Sequence, residues 1–379
     1  MKEFLLKDLV KIKNGKDHKI LSNGNIPIFG SGGIMRYGNQ YLYNKPSILL
    51  PRKGTLSNIQ FSKIPFWTVD TIYYTEINED IAEPYFLYNY LKLLNLESLN
   101  TGTGVPSMTF DSYYNLKITL PHLDIQKKIA NTLADIDNKI ELNNELNDNL
   151  EQIAKTLYDY WFVQFDFPNV EGKPFKSSGG EMVYDEILKK EIPNGWEVKS
   201  FGQIANITMG QSPVGSSYND DGEGLIFYQG STDFGWRFPT VRQFTTKPAR
   251  FAKKGDILLS VRAPVGTFNV AKEDCCIGRG LSALNSKDNF NSFLLYQMSY
   301  FKKRFDNINS VGTTFGSITK DDLQSLILYY PTSDILHQFE SIVATFDKKI
   351  FINSQQNQEL ASLRDWLLPM LMNGQVKVE

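Results

Sequence analysis

Residues that build metal sites and acid–base centres are scarce in this sequence. Its 379 residues include two cysteines and three histidines. Cys275 and Cys276 are neighbours in the chain, and the histidines are isolated at His18, His122 and His337. These spacings give no disulfide framework and no set of soft ligands for a structural metal. We interpret the cysteine pair as buried filler of a strand.

Long apolar runs and recognisable catalytic motifs are also missing. No run approaches the eighteen apolar residues of a membrane span, and the first residues, MKEFLLKDLVKI, carry acids that a signal peptide lacks. We therefore expect a cytoplasmic protein. The sequence has no glycine-rich dinucleotide turn, no phosphate loop ending in Gly-Lys-Ser/Thr, and no Asn/Asp-Pro-Pro-aromatic tetrapeptide of amino-methyltransferases. This predicts a non-catalytic chain without a cofactor of its own.

Charge is nearly balanced in total but unevenly distributed along the chain. The formal net charge is −2, yet residues 1–120 and 196–331 each carry +3, whereas residues 121–165 carry −4. The globular segments are therefore mildly basic and the segment between them is acidic. The mildly basic globular segments could bind a polyanion, but their excess charge is too small to require such a partner.

The residues from Pro121 to Trp161 carry a hydrophobic seam of period 3.5, which is typical of a helix packed along its length against another helix. Forty residues of helix would be about 60 Å long. The seam passes through Ile129, Leu133, Ile136, Ile140, Asn143, Asn147, Leu150, Ala154, Leu157 and Trp161.

A second copy of this seam lies 210 residues further along the chain. Residues 102–161 and 312–371 share seventeen identities in sixty ungapped positions, including Asp137 with Asp347. The match indicates a tandem duplication. The second seam passes through Phe339, Val343, Phe346, Ile350, Asn353, Asn357, Leu360, Arg364, Leu367 and Leu371, so Arg364 departs from the apolar pattern.

Asparagines occupy the same two seam positions in both copies. An inward asparagine costs stability but disfavours wrong registers, because its amide is satisfied only in the matched pairing. We hypothesise that Asn143, Asn147, Asn353 and Asn357 meet in an antiparallel helix pair and fix its register. The alternative is that the seam is interrupted and solvated there.

The predicted fold is a tandem pair of mixed α/β (α+β) domains separated by two long helices that form an antiparallel coiled coil. Short runs rich in β-branched and aromatic residues, such as 47–50 and 67–74, predict strands. Proline and glycine breakers predict a linker without regular structure at 166–195. The predicted segments are a first domain (1–121), a first helix (122–165), the linker (166–195), a second domain (196–331), and a second helix with the C-terminal tail (332–379).

Basic residues beside aromatics and glycine-hinged loops are the candidate DNA contacts. Lysine and arginine neutralise phosphates, arginine can also make a paired hydrogen bond to guanine, and amide or hydroxyl groups add base contacts. Arg52 and Arg262 are the strongest candidates, because each follows the equivalent strand of its own copy. The full set is Arg36, Lys45, Arg52, Lys53, Gln211, Ser212, Arg237, Arg242, Arg262 and Arg279.

This organisation resembles the DNA-specificity subunit of a type I restriction–modification system over the whole chain. The residues that carry the resemblance are Gly172-Lys173-Pro174, Ser177 to Met182, Ile192 to Trp196, Pro121 and Pro331 before the helices, and Leu367 to Gly374.

The resemblance implies that each domain reads one half of a split double-stranded DNA target, with a gap set by the coiled coil. It also implies two methyltransferase subunits docked on the helices, which bind S-adenosylmethionine, and separate restriction subunits where the system has them. A coiled-coil adaptor with two protein-binding domains remains the alternative.

Overall fold

The computed structural model describes residues 1–100, 106–310 and 316–378, which form two compact units. Unit 1 combines Met1–Asn143 with Gln355–Glu379, and unit 2 is Asn144–Ser354. The division therefore crosses both long helices. It differs from the segments expected from the sequence, which follow the order of the chain.

Unit 1 is a mixed α/β domain. The strands form the antiparallel sheet β2-β8-β5-β6, the sheet β4-β3-β7 and the antiparallel pair β1-β9. Its elements are β1 (Lys2–Leu5), α1 (Leu6–Leu9), β2 (Val10–Asn14), β3 (Asn23–Gly30), β4 (Gly33–Gly38), β5 (Ser47–Pro51), β6 (Gln60–Ser62), β7 (Trp67–Thr68), β8 (Ile72–Ile77), α2 (Pro84–Lys92), α3 (Phe110–Tyr114), β9 (Lys117–Leu120) and the first part of α4 (Leu123–Tyr158).

The core of unit 1 lies between its four-stranded sheet and helical segments. Strand β5 is buried along its whole length, as its unbroken apolar run predicts for a central strand. Ile48 and Leu50 of β5 share this core with Phe86 of α2 and Leu133 of α4. The same core includes Leu371, from the far end of the chain, which explains why the C-terminal residues belong to this unit.

Unit 2 repeats the plan of unit 1. Its antiparallel sheet β13-β21-β18-β19 has the strand order of β2-β8-β5-β6, and its pair β12-β22 matches β1-β9. These equivalences confirm the predicted duplication. The elements are β10 (Met182–Asp185), β11 (Lys190–Pro193), β12 (Glu197–Ser200), α5 (Phe201–Ile204), β13 (Ala205–Met209), β14 (Tyr218–Asn219), β15 (Leu225–Tyr228), β16 (Phe244–Thr245), β17 (Phe251–Ala252), β18 (Ile257–Ser260), β19 (Phe268–Val270), β20 (Cys275–Ile277), β21 (Leu281–Ser286), α6 (Asn291–Ser310), α7 (Lys320–Gln324), β22 (Ile327–Tyr330) and α8 (Ser333–Met372), which continues into unit 1.

The two units differ in their second sheet. Unit 2 has five short strands in the order β14-β16-β15-β20-β17, where unit 1 has three. This sheet falls in the part of the chain where the two sequence copies cannot be aligned by eye. Cys275 and Cys276 lie in β20 and are fully buried, as the sequence predicts.

The long helices α4 and α8 pair in an antiparallel manner within each unit. In unit 1, Asn143 Nδ2 donates to Asn357 Oδ1 at 2.8 Å, and Arg364 Nη1 lies 2.7 Å from Asp137 Oδ1. In unit 2, the Asn353 side chain donates to Asn147 at 2.9 Å.

The asparagine contacts obey the symmetry of the duplication. Adding 210 to the number of one partner of the first pair and subtracting 210 from the other gives the second pair. That these amides select the register stays a prediction. The apolar seam is interrupted at Arg364 because that guanidinium pairs with Asp137 across the helix pair.

Three local segments either differ from the structure that the sequence predicts or lie outside the described residues. The segment 166–195 contains the β10–β11 hairpin, and Phe167 and Ile192 are buried in the core of unit 2. It is a packed part of that unit, because these few apolar side chains outweigh the surrounding breakers. The strand expected at 67–74 is split into β7 and β8. The sequence Thr101-Gly102-Thr103-Gly104 predicts a loop, and these residues lie outside the described ranges. None of the helices in the described ranges is apolar and long enough to span a membrane.

Candidate nucleic-acid interface

The two strongest sequence candidates follow equivalent strands, but their positions differ by one residue. Lys53 forms a β-bridge with Ser107 in unit 1, and Arg262 forms the matching bridge with Ser317 in unit 2. Arg52 directly follows β5, and Arg262 lies two residues after β18, the matching strand of unit 2. In unit 1 the Met108 amide donates to the Arg52 carbonyl oxygen at 3.1 Å, and in unit 2 Ile318 donates to Val261 at 2.9 Å. The same local pairing therefore involves Arg52 in unit 1 and Val261, the residue before Arg262, in unit 2, and both arginines lie just after a buried strand.

The two arginine side chains have different surroundings. Arg52 is half-buried, with Nη1 3.3 Å from the Asp70 carbonyl oxygen and its guanidinium 6.0 Å from the centre of the Tyr73 ring. Arg262 is exposed and forms no ion pair with any residue in the described ranges. Arg262 is therefore the freer of the two cations to meet a phosphate or a base edge.

A cleft of about 650 Å³ lies beside the glycine-rich turn between β3 and β4, and its lining includes Ser31, Met35 and Asp70. Gly33 shapes the turn with a φ of 119°, a conformation open to glycine and rare for other residues. The Gly30 carbonyl oxygen accepts a hydrogen bond of 2.9 Å from the Gln60 side chain, which holds the turn to β6.

Arg36 lies on β4 near this cleft and is half-buried. Its Nε donates to His18 Nδ1 at 3.2 Å, and its Nη2 donates to the Leu21 carbonyl oxygen at 3.0 Å. These bonds leave part of the guanidinium for other partners. Lys45 and Lys53 are exposed on loops of the same unit.

Strand β4 also exposes apolar side chains that were not among the sequence candidates. The exposed fraction is 50–58% for Ile34, Met35 and Tyr37. Strand β4 pairs with β3 in an antiparallel ribbon. A two-stranded ribbon fits the DNA major groove, where apolar side chains contact thymine methyl groups. In the sequence, this surface is indicated by two consecutive apolar residues, Ile34 and Met35, directly after the glycine-rich turn.

Two neighbouring candidates, Gln211 and Ser212, meet the distant candidate Arg279 in unit 2. The Arg279 amide lies 3.3 Å from Ser212 Oγ, and the neighbouring Gln211 amide donates to Ile277 at 3.0 Å. The side chains of Gln211 and Arg279 are exposed. A cation, an amide and a hydroxyl are thus collected on one small surface, which is the combination that reads phosphates and base edges.

Arg242 is tied to a buried partner. Its side chain is more than half exposed, but its Nε lies 2.9 Å from Oδ1 of Asp233, a carboxylate that is largely buried. This ion pair reduces the positive charge that Arg242 offers to DNA. We therefore expect Arg242 to contribute less to affinity than Arg262.

The structure corrects the expectation for Arg237. Its guanidinium is buried, with Nη1 2.7 Å from Glu151 Oε2 and Nη2 hydrogen-bonded to Asp347. Burial acts against the charged form, but the carboxylates of Asp347 and Glu151 outweigh it and raise the pKa of Arg237. The adjacent Trp236 is exposed instead. Arg237 is therefore directed toward the helices and is not available to DNA in this conformation.

No cluster of three or more histidine, cysteine, aspartate or glutamate side chains in the described ranges could hold a metal ion. The surfaces described above instead offer exposed cations, amides, hydroxyls and aromatic edges. Groups of these kinds are suited to binding and orienting a polyanion.

Comparison with known proteins agrees with this geometry. A putative type I restriction enzyme MjaX specificity subunit of Methanocaldococcus jannaschii is 34% identical over 313 residues, covering 80% of this chain and 70% of its own length. The type I restriction enzyme HindI specificity subunit of Haemophilus influenzae is 25% identical over 367 residues, covering 79% of each. The crystal structure of an S subunit from M. genitalium matches 98% of this chain and 95% of its own, with a TM-score of 0.67 and 17% identity, which shows a shared fold.

The sequence model of the type I restriction modification DNA specificity domain matches residues 1–152 and again residues 193–362. The fold and these matches define a DNA-recognition protein that carries two copies of one specificity domain. The chain belongs to the type I restriction–modification DNA specificity family. It is the non-catalytic specificity subunit of such a system, and this assignment replaces the alternative of a protein-binding adaptor.

Proposed function

We propose that each globular domain reads one half of a split double-stranded DNA sequence and that the coiled-coil helices set the gap between the halves. The observation that carries this proposal is the duplication itself. One scaffold occurs twice, with Arg52 and Arg262 after the same buried strand, while the second sheets of the two units differ. A shared scaffold with different loops suits two half-sites of different sequence.

The proposed DNA contacts are the sequence candidates whose side chains are exposed or half-buried. In unit 1 they are Arg36, Lys45, Arg52 and Lys53, and in unit 2 they are Gln211, Ser212, Arg242, Arg262 and Arg279. The cations supply affinity through the phosphates, and arginine, amide and hydroxyl groups supply base discrimination. Arg237 is not included because its guanidinium is buried and paired with Glu151 and Asp347.

The helices offer two equivalent surfaces for protein partners. Leu142 and Leu363 are exposed apolar residues on the helix pair of unit 1, and their duplicates Ile352 and Ile153 are exposed on that of unit 2. Exposed apolar residues repeated in this way are suited to binding two copies of one partner. We propose that these partners are two methyltransferase subunits.

The methyltransferase subunits would bind S-adenosylmethionine, and this chain would bring them to the DNA. Restriction subunits would join the complex where the system contains them. Because chromosomal DNA is the substrate, we place the assembled complex in the cytoplasm.

Single substitutions of the arginines that follow the two equivalent strands test the assignment of one half-site to each domain. We expect Arg52→Ala to relax base preference in one half-site and Arg262→Ala to relax it in the other, each with an affinity loss of about tenfold to a hundredfold. Lys128→Ala is the control, because Lys128 is an exposed cation on the long helix α4 and is not among the proposed DNA contacts.

The measurement is methylation of a randomised-site DNA library by the complete complex, with affinity measured at several salt concentrations. A contact to phosphate alone would lower affinity equally for all sequences and reduce the salt slope by about one. Relaxation of both half-sites by either arginine substitution would contradict the proposed division of labour.

A further inference from the structure

The loop from Phe234 to Pro239 in unit 2 is closed and fixed against strand β19. Phe234 and Pro239 form an isolated β-bridge across the loop. The Gly235 amide donates to Asn269 Oδ1 at 2.9 Å, and Asn269 Nδ2 donates back to the Gly235 carbonyl oxygen at 3.0 Å. The Val270 amide donates to the Arg237 carbonyl oxygen at 2.9 Å. These hydrogen bonds therefore fix the loop to β19 of its domain.

Adjacent side chains of this loop point in opposite directions. Trp236 is 54% exposed, whereas the side chain of Arg237 is 8% exposed and bridges Glu151 of α4 and Asp347 of α8. Tyr296 Oη donates to the same Glu151 carboxylate at 3.1 Å, and Ser292 Oγ donates to Asp347 at 2.9 Å. One guanidinium thus joins the globular domain to both long helices of the unit.

A second contact beside the ion pairs strengthens this connection. Phe238, the next residue of the loop, meets Phe351 of α8 edge-on at 5.7 Å between ring centres. Lys254 Nζ lies 4.4 Å from the centre of the Phe351 ring, which is within the range of a cation–π contact. Charged and aromatic contacts from the loop, together with Lys254 between β17 and β18, therefore hold the domain on α8.

The duplication shows that this bridge is a special feature of unit 2. Asp347 is the duplicate of Asp137, and both carboxylates pair with an arginine. In unit 1 that arginine is Arg364 of the facing helix. The duplicate of Arg364 in unit 2 is Ala154, which is buried, so the cation is supplied by Arg237 of the globular domain instead.

Resting on the function proposed above, we infer that Arg237 is a positioning residue. By bridging Glu151 and Asp347, it fixes the second domain on the helix pair and so narrows the range of half-site gaps that the chain accepts. Loss of the bridge leaves the DNA-reading surface intact but lets the second domain shift on its helices.

The test compares methylation of plasmids that carry the wild-type target with its own gap and with gaps one base pair shorter or longer. The proteins are complete complexes containing wild-type chain, Arg237→Met, Arg237→Lys or the double variant Glu151→Gln/Asp347→Asn. The matched control is Arg250→Met, because Arg250 is an exposed arginine of the same domain with no ion pair among the described residues.

We expect Arg237→Met and the double variant to methylate the gap-shifted sites at least about tenfold more, relative to the parental site, than wild type does, because a broken buried charge pair weakens the connection strongly. Base preference within both half-sites should be unchanged. Arg237→Lys should restore part of the discrimination, and Arg250→Met should match wild type. The double variant carries the test if Arg237→Met does not fold.

Two results would overturn the inference. One is wild-type gap discrimination in an assembled Arg237→Met or double-variant complex. The other is an altered base preference confined to one half-site with the gap unchanged, since that would make Arg237 a DNA-reading residue. A wild-type complex that recognises no split target would refute the proposed function itself, and this failure is visible before any variant is compared.

Discussion

Replacing the four inward asparagines with leucine should make the chain more stable and its helix register less certain. Three of these asparagines, Asn143, Asn147 and Asn353, are at most 3% exposed, and Asn357 is half-buried. Their amides form the hydrogen bonds between α4 and α8 at 2.8 and 2.9 Å. A leucine pair would accept any register that keeps the seam apolar, whereas the amide pairs accept one.

The size of the stability gain follows from burial. Burying a leucine side chain stabilises by roughly 1.5–3 kcal/mol. Losing a hydrogen bond costs about 1 kcal/mol. The net gain is roughly 1 kcal/mol at each of the three buried positions, or roughly 3 kcal/mol together. For domains of this size we expect the midpoint of thermal unfolding to rise by roughly 5–10 °C.

Calorimetry measures the gain, and the distance between two spin labels measures the register. Labels at Glu141 and Gln358 would lie on exposed positions of the facing helices in unit 1. A slip of one heptad would move one label by about 10 Å along the helix. The control is Asn149→Leu, because Asn149 is exposed on α4 and faces no partner amide in the described part of the chain.

We expect one narrow label distance in the wild type and in the control, and a broadened or second distance in the fourfold variant. A single unchanged distance together with a higher midpoint would refute the reasoning. It would mean that the remaining apolar contacts specify the register and that the asparagines only reduce stability.

Three further predictions concern the helices and their contacts with the domains. Duplicating residues 141–147 and 351–357 adds a heptad to each helix and should lengthen the target gap by about three base pairs, while leaving both half-sites unchanged in methylome sequencing. Burial raises the pKa of Glu340 above 4.5, although hydrogen bonds from Ser292 and Phe293 oppose the shift. The folded chain therefore binds a proton at Glu340 at a higher pH than the unfolded chain does. The melting temperature of wild type, relative to that of Glu340→Gln, should rise as pH falls from 7 toward 4.5. The same pH dependence of melting temperature in both proteins would contradict this. Tyr158→Phe removes the 2.7 Å hydrogen bond to buried Gln297 and should destabilise unit 2 by about 1–3 kcal/mol, measured by denaturant unfolding.

Much of the architecture was predictable because the duplication is visible in the sequence. The 210-residue offset places both long helices and sets the asparagines at equivalent seam positions. The repeated Ile-Leu-Leu runs at 48–50 and 257–259 mark the buried strands β5 and β18. The facing of Asn143 with Asn357 follows once the helices are antiparallel. The strand containing Cys275 was predictable from its apolar character.

Other features depend on tertiary packing that periodicity does not record. The β10–β11 hairpin has short strands and a turn with Lys189 at a φ of 51°, so nearby breakers hide it in the sequence. Trp236 and Arg237 are neighbours, and sequence alone does not tell which side chain faces out. The match of Asp137 with Asp347 was visible in the sequence. The arginine partners of these two carboxylates were not, because one lies on the facing helix and the other on a loop of the globular domain.

The most direct test of the central claim is single-molecule methylome sequencing of a host that expresses this chain with its methyltransferase subunit. The comparison is the same host lacking this chain. We predict a new methyladenine motif that consists of two short half-sites around a fixed, unspecified gap. An assembled complex that yields no new motif, or a motif with one continuous recognition sequence, would contradict the claim that two domains read two separated half-sites.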